Sequence, residues 1–248
     1  MLDNRKPYRR QFVRMAATVA AALALAGAPC ALRAADAPKG LRIGVIGSGN
    51  VGGTIGTLWV KAGHEVMFSS LDIEHDRKLA AGIGAGARAG TPKEAAAFGE
   101  VLFFAVPYSA LPGLGRDLAA SIKGKIVLDA CNPIPRRDGD MAKAALAKGT
   151  GVASPELLPG ARIVRAYNEV GYVRMRDEAH RAGERLGIPL AGDDPQAVKT
   201  AVRLVRDAGH EPVVVGGLAR AREFDYGTPV FGRPMTAAEL REALRLKP

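Results

Sequence analysis

An α/β fold, doubly wound around a mostly parallel sheet and followed by a C-terminal α/β elaboration, is what this 248-residue chain predicts. Three observations carry that expectation. Short apolar runs alternate with stretches of helical period from Leu41 onward, the pattern of repeated strand–helix–strand units. Val101–Val106 is apolar throughout, as a strand becomes when helices cover both faces of its sheet. Leu41–Ile46 leads directly into Gly47-Ser48-Gly49-Asn50-Val51-Gly52 and then a helical pattern, a strand–turn–helix in which each glycine has a use.

The elements follow in order. Leu41–Ile46 is a buried strand and Val51–Ala62 a helix; Glu65–Ser69 is a second strand, with a helix over Ile73–Ala81. Thr91-Pro92-Lys93-Glu94 opens the next helix. Threonine caps the first amides, Glu94 closes the capping box, and proline suits the first helical position, where no N–H is needed. Val101–Val106 is a strand, Leu114–Ile122 a helix, Lys125–Asp129 a strand, Met141–Ala147 a short helix and Arg162–Ala166 a strand. After Ile188–Ala191, Asp193 or Asp194 caps a helix running to Ala208, and Glu211–Val215 is extended. Thr236 and Glu239 repeat the capping box before a last helix ending at Leu246. No linker rich in Pro, Gly or Ser divides the chain, so residues 38–248 read as one unit, elaborated from about residue 151. Cys131–Asp140 and the stretch after Gly151 are its candidate seams.

Residues 1–37 read as an address, not as part of the fold. Arg9-Arg10-Gln11-Phe12-Val13-Arg14 precedes a weakly apolar run of 14 residues from Met15 to Ala28, shorter than the ~20 residues that span a bilayer. Small residues follow from Ala31 to Ala37. The segment resembles a twin-arginine export signal, which implies passage through that machinery, a periplasmic or exported destination and a cofactor acquired in the cytoplasm.

Composition narrows the function. The formal charge is +10, of which six basic and two acidic residues in positions 1–37 supply +4. After residue 40 no basic run is interleaved with aromatics, so nucleic acid is not an expected partner. Two cysteines make no disulfide scaffold, and no His/Cys spacing suits a structural metal.

The chemistry gathers at the glycine loop. Gly47 permits a tight turn, Gly49 lets backbone approach a pyrophosphate, and Gly52 lets helix and strand pack closely. The helix start then offers free N–H groups to the anion. A Rossmann-type dinucleotide site follows, with Ser48, Asn50 and Val51 on the same loop. An acid closing the second strand would bind ribose hydroxyls and repel a 2′-phosphate. Here the strand closes on Ser69-Ser70-Leu71, so NADP is expected over NAD.

With these residues in view, the chain resembles the NADPH-dependent reductases of the deazaflavin coenzyme F-420, within the 6-phosphogluconate-dehydrogenase-like Rossmann group. The ordered matches are Arg42–Gly52, Phe104-Ala105-Val106-Pro107-Tyr108, Val127-Leu128-Asp129-Ala130-Cys131-Asn132-Pro133 and Arg162-Ile163-Val164-Arg165-Ala166-Tyr167-Asn168, with a further likeness from Gly192 to Glu223. The resemblance implies that Ser48, Gly49, Asn50 and Val51 line the pyrophosphate and that Ser69 and Ser70 meet the 2′-phosphate. It also implies that Ala105, Val106 and Pro107 pack near the nicotinamide ribose, and that Ala166 and Asn168 border the nicotinamide. Two positions depart from the family. Leu71 stands where arginine is usual, leaving Arg77, with His75 and Lys78, as the basic groups near the phosphate. Glu169 stands where threonine is common, which puts the hydride acceptor in question.

Hydride transfer between two cofactors asks the protein for alignment and exclusion of water. No catalytic triad or carboxylate pair is expected, and Asn168, Asn132 and Tyr108 are the candidate orienting groups. His64 and His210 follow glycines at helix-to-strand turns, and Cys131 suits a small buried position. The function expected is NADPH-dependent hydride transfer to a deazaflavin or flavin-like acceptor. The alternatives are an NADP-binding redox sensor or carrier without turnover, and a reductase of a ferric complex or small imine. A homodimer is expected by analogy alone.

Overall fold

The computed structural model describes residues 40–246. The export leader expected over residues 1–37 lies outside the described residues. Eight strands form one sheet: β1 (Arg42–Ile46), β2 (Glu65–Ser69), β3 (Ala87–Ala89), β4 (Val101–Phe104), β5 (Ile126–Asp129), β6 (Arg162–Arg165), β7 (Gly187–Gly192) and β8 (Glu211–Gly216). Their spatial order is β3-β2-β1-β4-β5-β6-β7-β8. Every neighbouring pair is parallel except β6 and β7.

Parallel neighbours require crossovers, and helices supply them. α1 (Asn50–Lys61) follows β1, α2 (Ile73–Ile83) follows β2 and α3 (Pro92–Phe98) follows β3. A 3-10 turn at Tyr108–Ala110, α4 (Leu111–Asp117) and α5 (Ala119–Ile122) join β4 to β5; α6 (Pro135–Lys148) and α7 (Thr150–Leu157) join β5 to β6. α8 (Tyr172–Asp177) precedes β7, α9 (Pro195–Asp207) joins β7 to β8, and α10 (Ala237–Ala243) comes last. Alternate residues of β4 enter opposite cores. Val101 and Phe103 pack with Trp59, Phe68 and Tyr167, whereas Leu102 and Phe104 pack with Tyr108, Leu111 and Ile163. Both faces are therefore covered, which is why β4 carries no polar alternation.

Several boundaries differ from the sequence-based expectation. β3 has only the residues Ala-Arg-Ala, too little apolar period to stand out. Leu114–Ile122 is two helices, broken at Leu118. The short helix expected over Met141–Ala147 begins at Pro135 and passes through a kink at Gly139, with φ +60. α7 and α8 have no counterpart in the sequence-based order of elements: α7 carries Pro155 inside it, and Tyr172–Asp177 is short. Cys131–Asp140 and the stretch after Gly151, the candidate seams, both lie within the compact unit that begins at Gly40. Thr150 ties the start of α7 to Asp225, its amide donating across 2.9 Å.

The order of β2, β1 and β4 has a consequence for function. From β1 the chain winds outward to β2 and β3, then returns to place β4 on the other side of β1. At such a switch point a crevice opens beyond the carboxyl ends of β1 and β4.

Candidate functional site

That crevice begins with the glycine loop. After β1 the chain turns at Gly47, with φ +99, and α1 starts at Asn50. A Cβ on Gly52 would lie 1.9 Å from the Gly47 carbonyl oxygen, so α1 can sit against the strand only because that atom is missing. Gly49 differs, since a Cβ there would meet nothing within 4 Å. No side chain caps α1, although Asp72, Thr91, Asp194 and Thr236 cap α2, α3, α9 and α10. The bond from Gly53 N–H to Gly49 O, at 2.7 Å, opens the helical ladder. The amides of Asn50, Val51 and Gly52 stand ahead of it. The first turn holds no acid, so the positive end of the helix dipole is left for an anion, with open space beside Gly49. A dinucleotide's pyrophosphate fits these donors.

Ser48 does not line that space. Its amide donates to the Ser69 carbonyl at 3.0 Å, beside that of Gly47 at 2.8 Å, and its buried hydroxyl donates to Asp76. It braces the loop from beneath. Ser69 is likewise withdrawn: it is fully buried, and its hydroxyl donates to Val45 O at 2.7 Å. Ser70 reaches the rim, but its Oγ lies 3.0 and 2.9 Å from the two oxygens of Asp76 and accepts the Asp72 N–H at 3.1 Å. The Ser48 and Ser70 hydroxyls both meet the buried Asp76 carboxylate, and that of Ser70 also lies 3.1 Å from Asp72 O. In this structure Ser69, expected to receive a 2′-phosphate, is turned inward, and Ser70, expected beside it, is engaged within its own loop. Arg77 remains in solvent, paired with Glu74 at 2.5 Å. His75 stands nearer the loop, its Nε2 3.4 Å from Ser48 O. Leu71 is fully exposed. Asp76 was hidden within a charged run, although Ile73, Asp76 and Ala80 share one helical face.

Farther along the crevice, Val106 and the Ala105 carbonyl adjoin Gly47, and Pro107 is exposed. Tyr108 turns away into the core. It has no exposed surface, its Oη is 3.4 Å from Ser154 Oγ, and burial holds its phenol well above the usual range. The orienting role expected of it is not met. Cys131 is buried too, its amide donating to Asp129 Oδ1 at 2.8 Å, and burial pushes its thiol up.

The two asparagines do come together. Asn132 Nδ2 donates to the Asn168 carbonyl at 2.6 Å, and Asn168 Nδ2 donates to Phe224 O at 3.2 Å. Their amide oxygens are buried without partners. The protein uses the donors to tie the Asn132 loop to the end of β6 and to the 224 segment. Ala166, fully buried, is fixed by its N–H to Asp129 O at 3.2 Å.

Between Ala166 and Asn168 stands a residue the sequence did not flag. Tyr167 has φ +60, a left-handed conformation that costs a non-glycine residue on the order of 1–3 kcal/mol. Its ring is locked edge-on against Trp59, Phe103 and His210, at 6.3, 6.0 and 5.7 Å. His210 Nε2 faces Met175 O at 2.9 Å and Nδ1 faces Tyr167 Oη at 3.4 Å; burial lowers its pKa to about 4. His64 bonds Leu41 N–H and Asp207, both at 3.0 Å. Both histidines hold the fold together. Among the described residues, no cluster of His, Cys, Asp or Glu suits a metal ion.

Residues 42–133, from β1 through the Asn132 loop, match the family model described as NADP oxidoreductase, coenzyme F420-dependent. The match covers under half of the 248-residue chain, and over that stretch the chain is similar to NADP oxidoreductases of the coenzyme F420-dependent kind. Metalloreductase STEAP3 of Rattus norvegicus is 29% identical over 196 residues, 77% of this chain and 36% of that protein. The chain thus spans about a third of the length of this curated relative. Among solved structures, a hypothetical protein of Sinorhizobium meliloti superposes with TM-score 0.69 at 22% identity, covering 79% of this chain and 95% of that one. A protein of Arthrobacter sp. FB24, named as an F420-dependent NADP reductase, gives TM-score 0.65 at 21% identity, covering 79% and 100%. The imine reductase variant of Myxococcus stipitatus in complex with NAD+ gives 0.55 at 16%, covering 74% and 57%. These structures share the Rossmann-like fold of this chain.

Proposed function

We propose that the protein transfers a hydride between NADPH and a deazaflavin or flavin-like acceptor. The single observation that carries this reading is the uncapped start of α1 behind Gly49, at the switch point of the sheet. The amides of Asn50, Val51 and Gly52 would hold the pyrophosphate. Asn132 and Asn168, bonded to each other beyond the ends of β5 and β6, would border the carboxamide. The bound nucleotide supplies the two electrons. Ala105 and Val106 would flank the reacting end with apolar surface, which excludes water, and the buried backbone from Ala166 to Glu169 would keep that end rigid.

A second reading, reduction of a ferric complex, is favoured by the sequence likeness to a metalloreductase; reduction of a small imine or nucleotide sensing without turnover would use the same site. The export leader would place the folded, loaded protein in the periplasm. To test the reading, the protein is titrated with NADPH while its melting temperature is followed. It is then mixed with NADPH and, separately, F-420, free flavin, flavin with ferric chelate, and a cyclic imine. We expect stabilisation by NADPH, and oxidation with F-420 or free flavin. An unmoved melting curve overturns the cofactor assignment. Oxidation only with ferric chelate or imine present overturns the acceptor, and binding without any oxidation leaves the sensor.

A further inference from the structure

The junction between β2 and α2 forms one rim of the crevice, and most of its polar groups are committed within it. Asp72 Oδ1 accepts the N–H groups of Glu74 and His75 at 3.0 and 3.1 Å, which caps α2. Ser70 is held by Asp72 and Asp76, and Arg77 by Glu74. The His75 side chain reaches back instead. It is exposed, and its Nε2 lies 3.4 Å from the carbonyl oxygen of Ser48 in the glycine loop. Nδ1, on the other edge of the ring, makes no hydrogen bond among the described residues.

Two contacts hold the ring in that place. The Asp72 cap fixes His75 in the first turn of α2. One turn on, Leu79 packs toward α1: a Cβ on Gly53 would stand 3.5 Å from Leu79 Cδ2 and 3.0 Å from Ser48 O. His75 and Leu79, four residues apart, share the helix face turned to the glycine loop and α1. The imidazole therefore bridges the glycine loop and the β2–α2 junction. Those two segments bracket an adenosine ribose whose pyrophosphate lies on the α1 amides, because the ribose 2′ position is read about 20 residues beyond the glycine loop. Among His75, Arg77 and Lys78, it is His75 that touches the loop. Arg77 is turned to solvent with Glu74, Lys78 is exposed farther along the helix, and Leu71 brings no charge. The acids of this turn are engaged as well: Asp72 by two helix amides, Glu74 by Arg77, and Asp76 beneath Ser48 and Ser70.

We infer that His75 is the residue that recognises the 2′-phosphate of NADPH, its imidazole donating to a phosphate oxygen between the glycine loop and α2. The inference rests on the nucleotide reading above and deepens it by naming the group that tells NADPH from NADH. An imidazole offers the phosphate an N–H when neutral and adds a positive charge when protonated. It presents one donor where a guanidinium presents a fork. The resulting preference for NADPH is modest, and the Asp76 charge beneath the rim reduces it further.

The test is titration of the full chain and its variants with NADPH and with NADH, with melting curves as the check on folding. His75 is exposed, so His75→Ala should melt with the wild type. We expect His75→Ala to lose about tenfold in NADPH affinity, the worth of one hydrogen bond to a charged group, and to keep its NADH affinity within about twofold. His75→Gln, which retains a donor, should lose less. Arg77→Ala and Lys78→Ala should keep the wild-type ratio of affinities. The competitors 2′,5′-ADP and 5′-ADP should show the same split as the two dinucleotides, which places the effect in the adenosine half. A His75→Ala variant with the wild-type ratio overturns the inference. So does an equal loss for both nucleotides, which would make His75 a support of the pyrophosphate loop, and so does a loss confined to Arg77→Ala or Lys78→Ala. A wild type that binds NADH alone overturns it and leaves the anion loop standing. If the wild type binds neither nucleotide, the nucleotide reading itself fails and takes this one with it.

Discussion

Arg165 places Nη1 2.7 Å from Asp129 Oδ2, and neither side chain has any exposed surface. Asp129 closes β5 and Arg165 closes β6, so the pair locks the two strand ends that frame the Asn132 loop. Arg165 Nη1 also donates to Cys131 O at 2.9 Å, and Nη2 lies 3.6 Å from Asp225 in the C-terminal segment. Removing the arginine strands two buried carboxylates. Breaking such a pair costs about 3–5 kcal/mol. We therefore expect Arg165→Met to lower the melting temperature by roughly 10 °C. A variant that melts within a degree or two of wild type would show the cluster to be energetically neutral.

Gly49 and Gly52 should behave oppositely. Gly49→Ala adds a methyl group to open space, so stability should be unchanged while the methyl obstructs the pyrophosphate. NADPH affinity should fall at least about tenfold, or about 1.4 kcal/mol. Gly52→Ala drives a Cβ into the Gly47 carbonyl, so the fold itself should lose stability. Melting curves with and without NADPH separate the two effects. Equal affinity in Gly49→Ala would remove the assigned anion site.

Asp76 should oppose the extra phosphate of NADP. It is buried behind Ser48 and Ser70 and meets the hydroxyls of both. Asp76→Asn removes the negative charge and lets Ser70 donate elsewhere. We expect affinity for NADPH relative to NADH to improve about tenfold, measured by titration of both nucleotides. A ratio unchanged or shifted toward NADH would place the adenosine ribose elsewhere.

Acid should destabilise the protein through His210. Its pKa falls from the ordinary 6.5 to about 4 on folding, so the unfolded chain binds the proton more readily. The stabilisation is present in full above pH 6.5 and is lost as pH falls toward 4, by about 3 kcal/mol. Urea midpoints at pH 7 and pH 4 measure this loss. His210→Gln should show a clearly smaller difference between those two midpoints. Identical differences would place the proton uptake on other groups.

Much of the sheet and the anion loop was legible in the chain text. The all-apolar β4, the threonine–glutamate capping boxes of α3 and α10 and the glycine spacing are local patterns. Local patterns report backbone geometry directly, because capping, turns and face-to-face burial depend on residues a few positions apart. The short β3, α7 and α8 were not legible, since neighbours distant in sequence hold them. The rim of the site was not legible for the same reason. Ser69 and Ser70 carry the right atoms for a phosphate, but the Ser69 hydroxyl meets Val45 O, and that of Ser70 meets Asp76 and Asp72 O.

The order of residues by itself determined where the chain turns, which strands are buried on both faces, and that one helix begins at a glycine loop with no cap of its own. Only the folded arrangement decided which polar atoms remain open. It committed the asparagine donors to backbone, buried Asp76 under the serines, and set Arg165 between two aspartates. The reason is that hydrogen bonding and charge pairing are settled by proximity in space. A sequence shows which donors and acceptors exist, and packing chooses which of them are already satisfied.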